Sequence, residues 1–61
     1  MKTNILVYID WDRGVWAMEY RNNDGEMIIE PTRFPASMSS LVVCDLLQET
    51  WPNSRLFAKA S

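Results

Sequence analysis

The sequence predicts a small α+β domain in which an antiparallel sheet of three to four strands carries one amphipathic helix on one face. Three observations support this class: short segments rich in β-branched and aromatic residues, a hairpin turn signal between two of them, and one later segment with helical periodicity. A chain of 61 residues has room for one hydrophobic core, so residues 1–61 are expected to form a single domain. The predicted order of elements is β-β-β-α-β.

The first strand is predicted over Asn4–Asp10, where residues 5–9 form an unbroken run of β-branched, aliphatic and aromatic side chains. An unbroken run is typical of a central strand that is covered on both faces. The next segment, residues 10–14, combines short polar side chains with Gly14, which can adopt a positive φ. A turn is therefore expected between the first and second strands.

The second strand is predicted over Val15–Arg21, and the third strand is expected to pair with it at about residues 26–30. Residues 22–25 are Asn-Asn-Asp-Gly, and these residue types tolerate the left-handed backbone that hairpin turns require. Side chains in a strand alternate between its two faces. One face of the second strand is therefore expected to be core, and it holds Trp16, Met18 and Tyr20.

One amphipathic helix is predicted after Pro31 and Pro35, which bracket an irregular connection because each lacks an amide donor and disfavours helical geometry in the preceding residue. Ser37 is the expected N-cap of this helix. On a helical wheel the apolar residues form a wide arc opposite a polar cluster. The arc comprises Val42, Val43, Cys44, Leu46, Leu47 and Trp51.

The helix is expected to end at Pro52-Asn53, since proline cannot continue a helix. A last strand is predicted over residues 55–59 because apolar side chains alternate there with larger or charged ones. In this alternation Leu56, Ala58 and Ala60 lie on one face, and Phe57 and Lys59 lie on the other.

The small size of the chain predicts self-association. A domain of this length buries only roughly 60% of its unfolded surface, so it usually needs disulfides, a metal or oligomerisation. The single cysteine, Cys44, cannot form an internal disulfide, and without histidine the usual zinc ligand sets cannot be assembled. An open sheet also leaves edge strands with unpaired backbone groups. The sequence therefore predicts a homodimer that forms through a sheet edge or the helix.

Charge and hydropathy restrict the partners of the chain. The formal net charge is −2, the isoelectric point is about 4.8, and the six basic residues are scattered, which disfavours binding to a nucleic-acid backbone. No basic segment precedes an apolar run of signal-peptide length, and the longest apolar run, residues 5–9, is too short to cross a bilayer. We therefore expect a cytoplasmic protein with no membrane partner.

The sequence predicts no catalytic residue, metal site or cofactor. Asp10 and Asp12, with Glu19 and Glu30 close to them in a hairpin meander, could hold magnesium for phosphoryl chemistry. The Asp10–Asp12 spacing is also common in turns, which is the favoured interpretation, and a metal-dependent enzyme would need further ligands from an oligomer. The serines have no histidine to activate them, and Cys44 is expected to be an inert thiol on the apolar side of the helix. With only two glycines, no phosphate-binding loop is present in the sequence.

Aromatic residues are numerous for so short a chain, and they divide into core and surface candidates. Trp16, Tyr20 and Trp51 are expected to lie mainly in the core, because aromatic rings bury a large area. Trp11 lies in the predicted turn beside Arg13, and an exposed tryptophan next to an arginine is the composition of interface hot spots. The alternative, in which Trp11 folds over the sheet edge, stays open.

Residues 5–12 (ILVYIDWD) are followed by residues 14–17 (GVWA), then by a hairpin, a third strand and a helix. Over residues 4–51 this arrangement resembles the HicB-type antitoxin domain, a degenerate ribonuclease-H-like half fold. The resemblance implies a non-catalytic protein that dimerises and masks a small RNA-cleaving toxin. It assigns no site residue in this sequence.

Two functional hypotheses follow. The first is a homodimeric protein-interaction module, antitoxin-like or another small regulatory inhibitor, that uses Trp11, Arg13 and one sheet edge to reach a partner protein. The second is a single-stranded nucleic-acid-binding protein that presents Tyr8, Tyr20 and Arg21 on an exposed sheet face, where aromatic rings can stack on bases. The acidic balance makes the second hypothesis less favourable.

Overall fold

Four strands and one helix form within residues 3–59, the part of the chain that this computed structural model describes. The α+β class and the β-β-β-α-β order are as expected. The elements are β1 (Asn4–Asp10), β2 (Val15–Arg21), β3 (Met27–Pro35), α1 (Ser40–Thr50) and β4 (Arg55–Ala58). The first two strands have the expected bounds, and Ala60 of the predicted last strand lies outside the described residues.

The four strands form one sheet in the order β3-β2-β1-β4. The expectation of a purely antiparallel sheet is wrong, because β4 pairs with β1 in parallel. The parallel pairing follows from the course of the helix, which runs across the sheet in the direction of β2, from the end of β2 that holds Trp16 to the end that holds Tyr20. Near its start Trp16 Nε1 donates to the Met38 carbonyl at 3.1 Å, and past its end the rings of Trp51 and Tyr20 lie 6.1 Å apart. The next strand must therefore run in the direction of β1.

Both predicted turns are present, and in each a glycine takes a positive φ. In the first, Gly14 has a φ of 68° and its amide donates to the Asp10 carbonyl at 2.8 Å. In the second, Gly25 has a φ of 81° and its amide donates to the Asn22 carbonyl at 3.0 Å. The Asn22 side chain also accepts from two turn amides, which shows why a short polar residue is favoured there.

The third strand is longer than predicted, because it continues through Pro31 and then, past a bulge opposite Trp16, to Pro35. Asn22 and Glu26 form a hydrogen-bonded pair at the turn. Hydrogen-bonded and non-hydrogen-bonded pairs alternate along an antiparallel ladder. Counted from that pair, the pair of Ala17 with Pro31 is a non-hydrogen-bonded one, so the nitrogen of Pro31 faces away from β2. No ladder hydrogen bond is lost there, which is the usual condition for proline in an edge strand. At the bulge the Thr32 hydroxyl donates to the Trp16 carbonyl at 2.7 Å.

The helix begins two residues later than expected, and its N-cap is Ser39 instead of Ser37. The Ser39 hydroxyl accepts a hydrogen bond from the Val42 amide at 3.3 Å. Ser37 cannot take this role because it lies inside a turn closed by the Met38 amide on the Pro35 carbonyl. The helix ends at Thr50, just before Pro52, as predicted.

The hydrophobic core lies between the helix and one face of the sheet. Trp16 and Met18 are buried there as predicted, and Tyr20 packs against them half-buried. The expectation that β1 is covered on both faces is wrong, since Leu6 and Tyr8 on its other face are only half-buried. The core cluster comprises Ile5, Val7, Trp16, Met18, Val43 and Leu47.

Two leucines of the same helix provide a test of this one-sided core. Leu47 is 5% exposed and Leu41 is 79% exposed. We expect Leu47→Ala to lower the free energy of unfolding by about 2–5 kcal/mol, the usual cost of a cavity in a core. We expect Leu41→Ala to change it by less than about 0.5 kcal/mol. Urea titrations of the two variants measure the difference, and equal losses would contradict the placement of the core.

Candidate interaction surface

The sheet face opposite the helix, here called the open face, is covered by no element within residues 3–59. Strand register arranges its side chains in rows that cross the sheet. Leu6 pairs with Glu19 and with Phe57, and Glu19 pairs with Ile29. This central row therefore contains Phe57, Leu6, Glu19 and Ile29. Continued by two residues, the same register gives an outer row of Arg55, Asn4, Arg21 and Met27.

Large apolar side chains of the open face are exposed to solvent. Ile29 is 58%, Phe57 is 52% and Met27 is 48% exposed. They lie on the two edge strands, while Leu6 between them is half-buried. A concave depression of about 620 Å³ is lined by residues of both rows, including Phe57, Leu6 and Met27. Clustered exposed apolar residues of this kind mark contact surfaces more often than isolated ones do.

The open face also holds charged groups that have no ion-pair partner within residues 3–59. The one ion pair among these residues joins Arg13 Nε to Asp10 Oδ2 at 3.9 Å, at the far end of β1 and roughly 13 Å along the strands from Glu19. Glu19 is half-buried between Leu6 and Ile29. The Arg21 guanidinium donates to the Gly25 carbonyl at 2.8 Å, and Arg21 forms no ion pair within residues 3–59. The face therefore presents charges of both signs beside apolar side chains.

Trp11 and Arg13, two of the predicted partner-binding residues, lie together at the β1–β2 turn. Trp11 is 68% exposed, so the ring projects from the turn and does not fold over the sheet edge. The Asp10 carboxylate accepts hydrogen bonds from the amides of Asp12 and Arg13 at 3.1 and 3.3 Å. The turn is thus fixed by its own aspartate, and it holds Trp11 in solvent.

The other predicted binding residues, Tyr8, Tyr20 and Arg21, do not share one face. Tyr8 and Arg21 belong to the open face, whereas Tyr20 points to the helix side and packs against Trp51. The Tyr20 hydroxyl donates to Glu30 Oε1 at 3.1 Å. Desolvation, followed by the hydrogen bond and charge of Glu30, raises the pKa of Tyr20, so the hydroxyl remains a donor near neutral pH. Of the two tyrosines, Tyr8 is therefore the one whose side chain belongs to the open face.

Sequence reasoning missed the apolar residues of the edge strands, Met27, Ile29 and Phe57. Their signal was the period of two in each strand, which places them on the same side as Leu6. The unbroken apolar run of β1 hid this signal, because it indicated a strand covered on both faces.

At the first turn the Asp10 carboxylate accepts two backbone hydrogen bonds, as expected of a turn residue. No group of three or more potential metal ligands of the His, Cys, Asp and Glu types occurs within residues 3–59. Glu19 lies two rows of the sheet from Asp10, roughly 13 Å along the strands, and Glu30 belongs to the helix side. The carboxylates that were candidates for a metal site are therefore spread over two faces.

Cys44 is half-buried on the helix, beside the core. Burial, and then the negative charge of Asp45, raise the pKa of the Cys44 thiol, which keeps it protonated and weakly nucleophilic at neutral pH.

Thiol chemistry can test this environment. We expect iodoacetamide to alkylate native Cys44 several-fold more slowly at pH 7.5 than it alkylates the urea-unfolded chain, because the thiolate is the reacting species. The native rate should rise at more alkaline pH, as the thiol loses its proton. Mass spectrometry follows both reactions, with glutathione as the reference thiol. Equal rates for the native and unfolded chains would contradict the burial of Cys44.

No family model, curated protein or solved structure matches this chain. The resemblance to HicB-type antitoxins therefore stays a prediction. No helix within residues 3–59 has both the length and the apolar character needed to cross a membrane. The fold and the surface together define a small α+β domain with one covered and one uncovered sheet face.

Proposed function

We propose that this chain is a non-catalytic protein-interaction module that self-associates through its open face. The observation that carries the proposal is the exposure of Phe57 and Ile29 at opposite margins of a face that also holds Leu6. Exposed apolar groups of this size gain free energy when a partner removes them from water.

The one-sided core cluster supports association. Its residues come from one side of the sheet and from one face of the helix. Among the described residues of the open face, only the small side chain of Ala17 is buried. No element within residues 3–59 covers that face, so a second molecule packed on it would add the missing layer, and one contact would serve both stability and binding.

The sheet edges are less suitable for self-association than the face. β4 is only four residues long, and β3 carries Pro31 on its outward side. In a symmetric antiparallel pairing of β3 centred on Ile28, Glu26 of each copy would lie opposite Glu30 of the other. Like charges directly opposite each other destabilise a strand pair. Prolines, charges and short strands are the usual means by which proteins protect edges.

A contact with a different protein would use the turn that holds Trp11 and Arg13. This turn lies at one end of β1, so its tryptophan stays exposed when the open face is covered. An exposed tryptophan beside an arginine is suited to a hot spot. The resemblance to HicB-type antitoxins makes a small RNA-cleaving toxin the partner that we propose to test first.

The self-association can be tested by shortening one side chain of the open face. We expect the protein to sediment as a dimer at high micromolar concentration, and Phe57→Ala to weaken the dimer roughly tenfold, the usual effect of losing an aromatic anchor. Leu41→Ala is the matched control, because it removes an exposed apolar side chain from the helix. Analytical ultracentrifugation measures both. A wild-type monomer at 500 µM, or equal effects of the two variants, would refute the proposal.

A second candidate function, binding of single-stranded nucleic acid, is favoured by one arrangement. Tyr8 and Phe57 share the open face with Arg21 and Arg55, and aromatic and basic side chains together can bind bases and phosphates. The net charge of −2 opposes this function.

Fluorescence anisotropy with a labelled single-stranded RNA separates the two functions. We expect no saturable binding at physiological salt, because the net charge is −2 and the six basic residues are scattered along the sequence, which leaves few cations to displace counterions. Binding that weakens with salt and with Phe57→Ala would instead establish the second function. Arg13→Ala, a basic residue outside the open face, is the control for general charge effects.

A further inference from the structure

We infer that two copies of this chain pack open face to open face about a two-fold axis that crosses the strands between the central and outer rows, so that Glu19 of each copy pairs with Arg21 of the other. The inference rests on the proposed self-association and specifies its geometry. A partner of this kind is a second copy of the chain, and no other ligand is required.

The register of the strands determines what such an axis superposes. The axis lies midway between the two sheets and runs perpendicular to the strands. Each strand therefore lies over the same strand of the other copy, in the opposite direction. The outer row of one copy then lies over the central row of the other. Because Glu19 and Arg21 belong to the same strand in adjacent rows, each meets the opposite charge, and the dimer contains this pair twice. The same rotation places Met27 over Ile29, and Arg55 over Phe57.

Each of these contacts is chemically favourable. Glu19 and Arg21 have no ion-pair partner within residues 3–59, and partial desolvation between two sheets strengthens such a pair. A guanidinium has five donors, so Arg21 can keep its bond to the Gly25 carbonyl while it meets Glu19. Met27 on Ile29 buries apolar surface, and an arginine over the ring of Phe57 adds a cation–π contact.

The width of the apolar surface favours a second sheet over a single helix. Phe57 and Ile29 lie on opposite edge strands of a four-stranded sheet, which is roughly 19 Å wide. A helix is about 10 Å across and would leave one margin exposed if it followed the strands. With the axis between the central and outer rows, these two rows of each sheet overlap, so the contact covers on the order of 500 Å² in total and predicts a weak dimer of the high micromolar range.

Two charge reversals test the arrangement. In homodimers of Glu19→Arg or of Arg21→Glu, like charges meet twice, so we expect each variant to dimerise roughly tenfold more weakly, or worse. When the two variants are mixed, the new arginine of one chain meets the new glutamate of the other, and the unchanged Arg21 meets the unchanged Glu19. We therefore expect the mixture to form heterodimers with an affinity near that of the wild-type homodimer, as read by native mass spectrometry and sedimentation.

In each variant alone, positions 19 and 21 carry the same charge. Opposite charges can therefore meet only between one chain of each variant, so heterodimers report contact between copies and not a change within one chain. Glu49→Arg mixed with Arg21→Glu is the control, because this pair also has opposite charge changes but the arginine lies on the helix. Heterodimers in the test mixture and few in the control support the geometry. Circular dichroism confirms that each variant is folded.

Three results would overturn the inference. If the wild type dimerises but the test mixture does not, the two-fold arrangement is wrong and self-association through another geometry remains. If the control mixture forms heterodimers as readily, general charge attraction replaces the specific pair. If the wild type is monomeric at 500 µM, both the arrangement and the proposed self-association fail.

Discussion

One short helix can cover only one face of a four-stranded sheet, and the rest of this structure depends on that limit. α1 has 11 residues, so it is about 16 Å long and about 10 Å across. Its buried residues, Val43 and Leu47, meet the inward side chains of the strands. The outward side chains of the same strands have nothing opposite them within residues 3–59. The core is therefore one-sided, and the open face follows from the presence of one short helix within these residues.

This limit connects stability with function. A core of so few side chains leaves a small margin of free energy, in which a single buried leucine is a large fraction of the total. Self-association adds free energy that depends on protein concentration, so folding and assembly become linked. A face that binds a second copy thus also raises the free energy of unfolding. A substitution on that face is expected to change both the dimer affinity and the stability.

The sequence was informative where the physics is local. Both turns followed from Asn, Asp and Gly at positions that need a positive φ or a side-chain acceptor, and the bounds of β1 and β2 followed from side-chain type. The missed features depend on contacts distant in sequence. The direction of β4 is determined by the crossover helix. The third strand continues through Pro31 because the proline nitrogen, which has no hydrogen to donate, faces away from β2. The open face was missed because an apolar run does not reveal which side is covered.

In the proposed self-association, Glu19 is the residue that makes the open face selective. It stands between Leu6 and Ile29, so a purely apolar partner that covered the face would bury its carboxylate without compensation. An unpaired buried charge costs more free energy than two neighbouring apolar contacts return. A suitable partner must therefore bring a cation to that position and apolar groups to its flanks. A second copy rotated between the two rows brings Arg21 to Glu19 and Met27 to Ile29, which meets both requirements without any change in the chain.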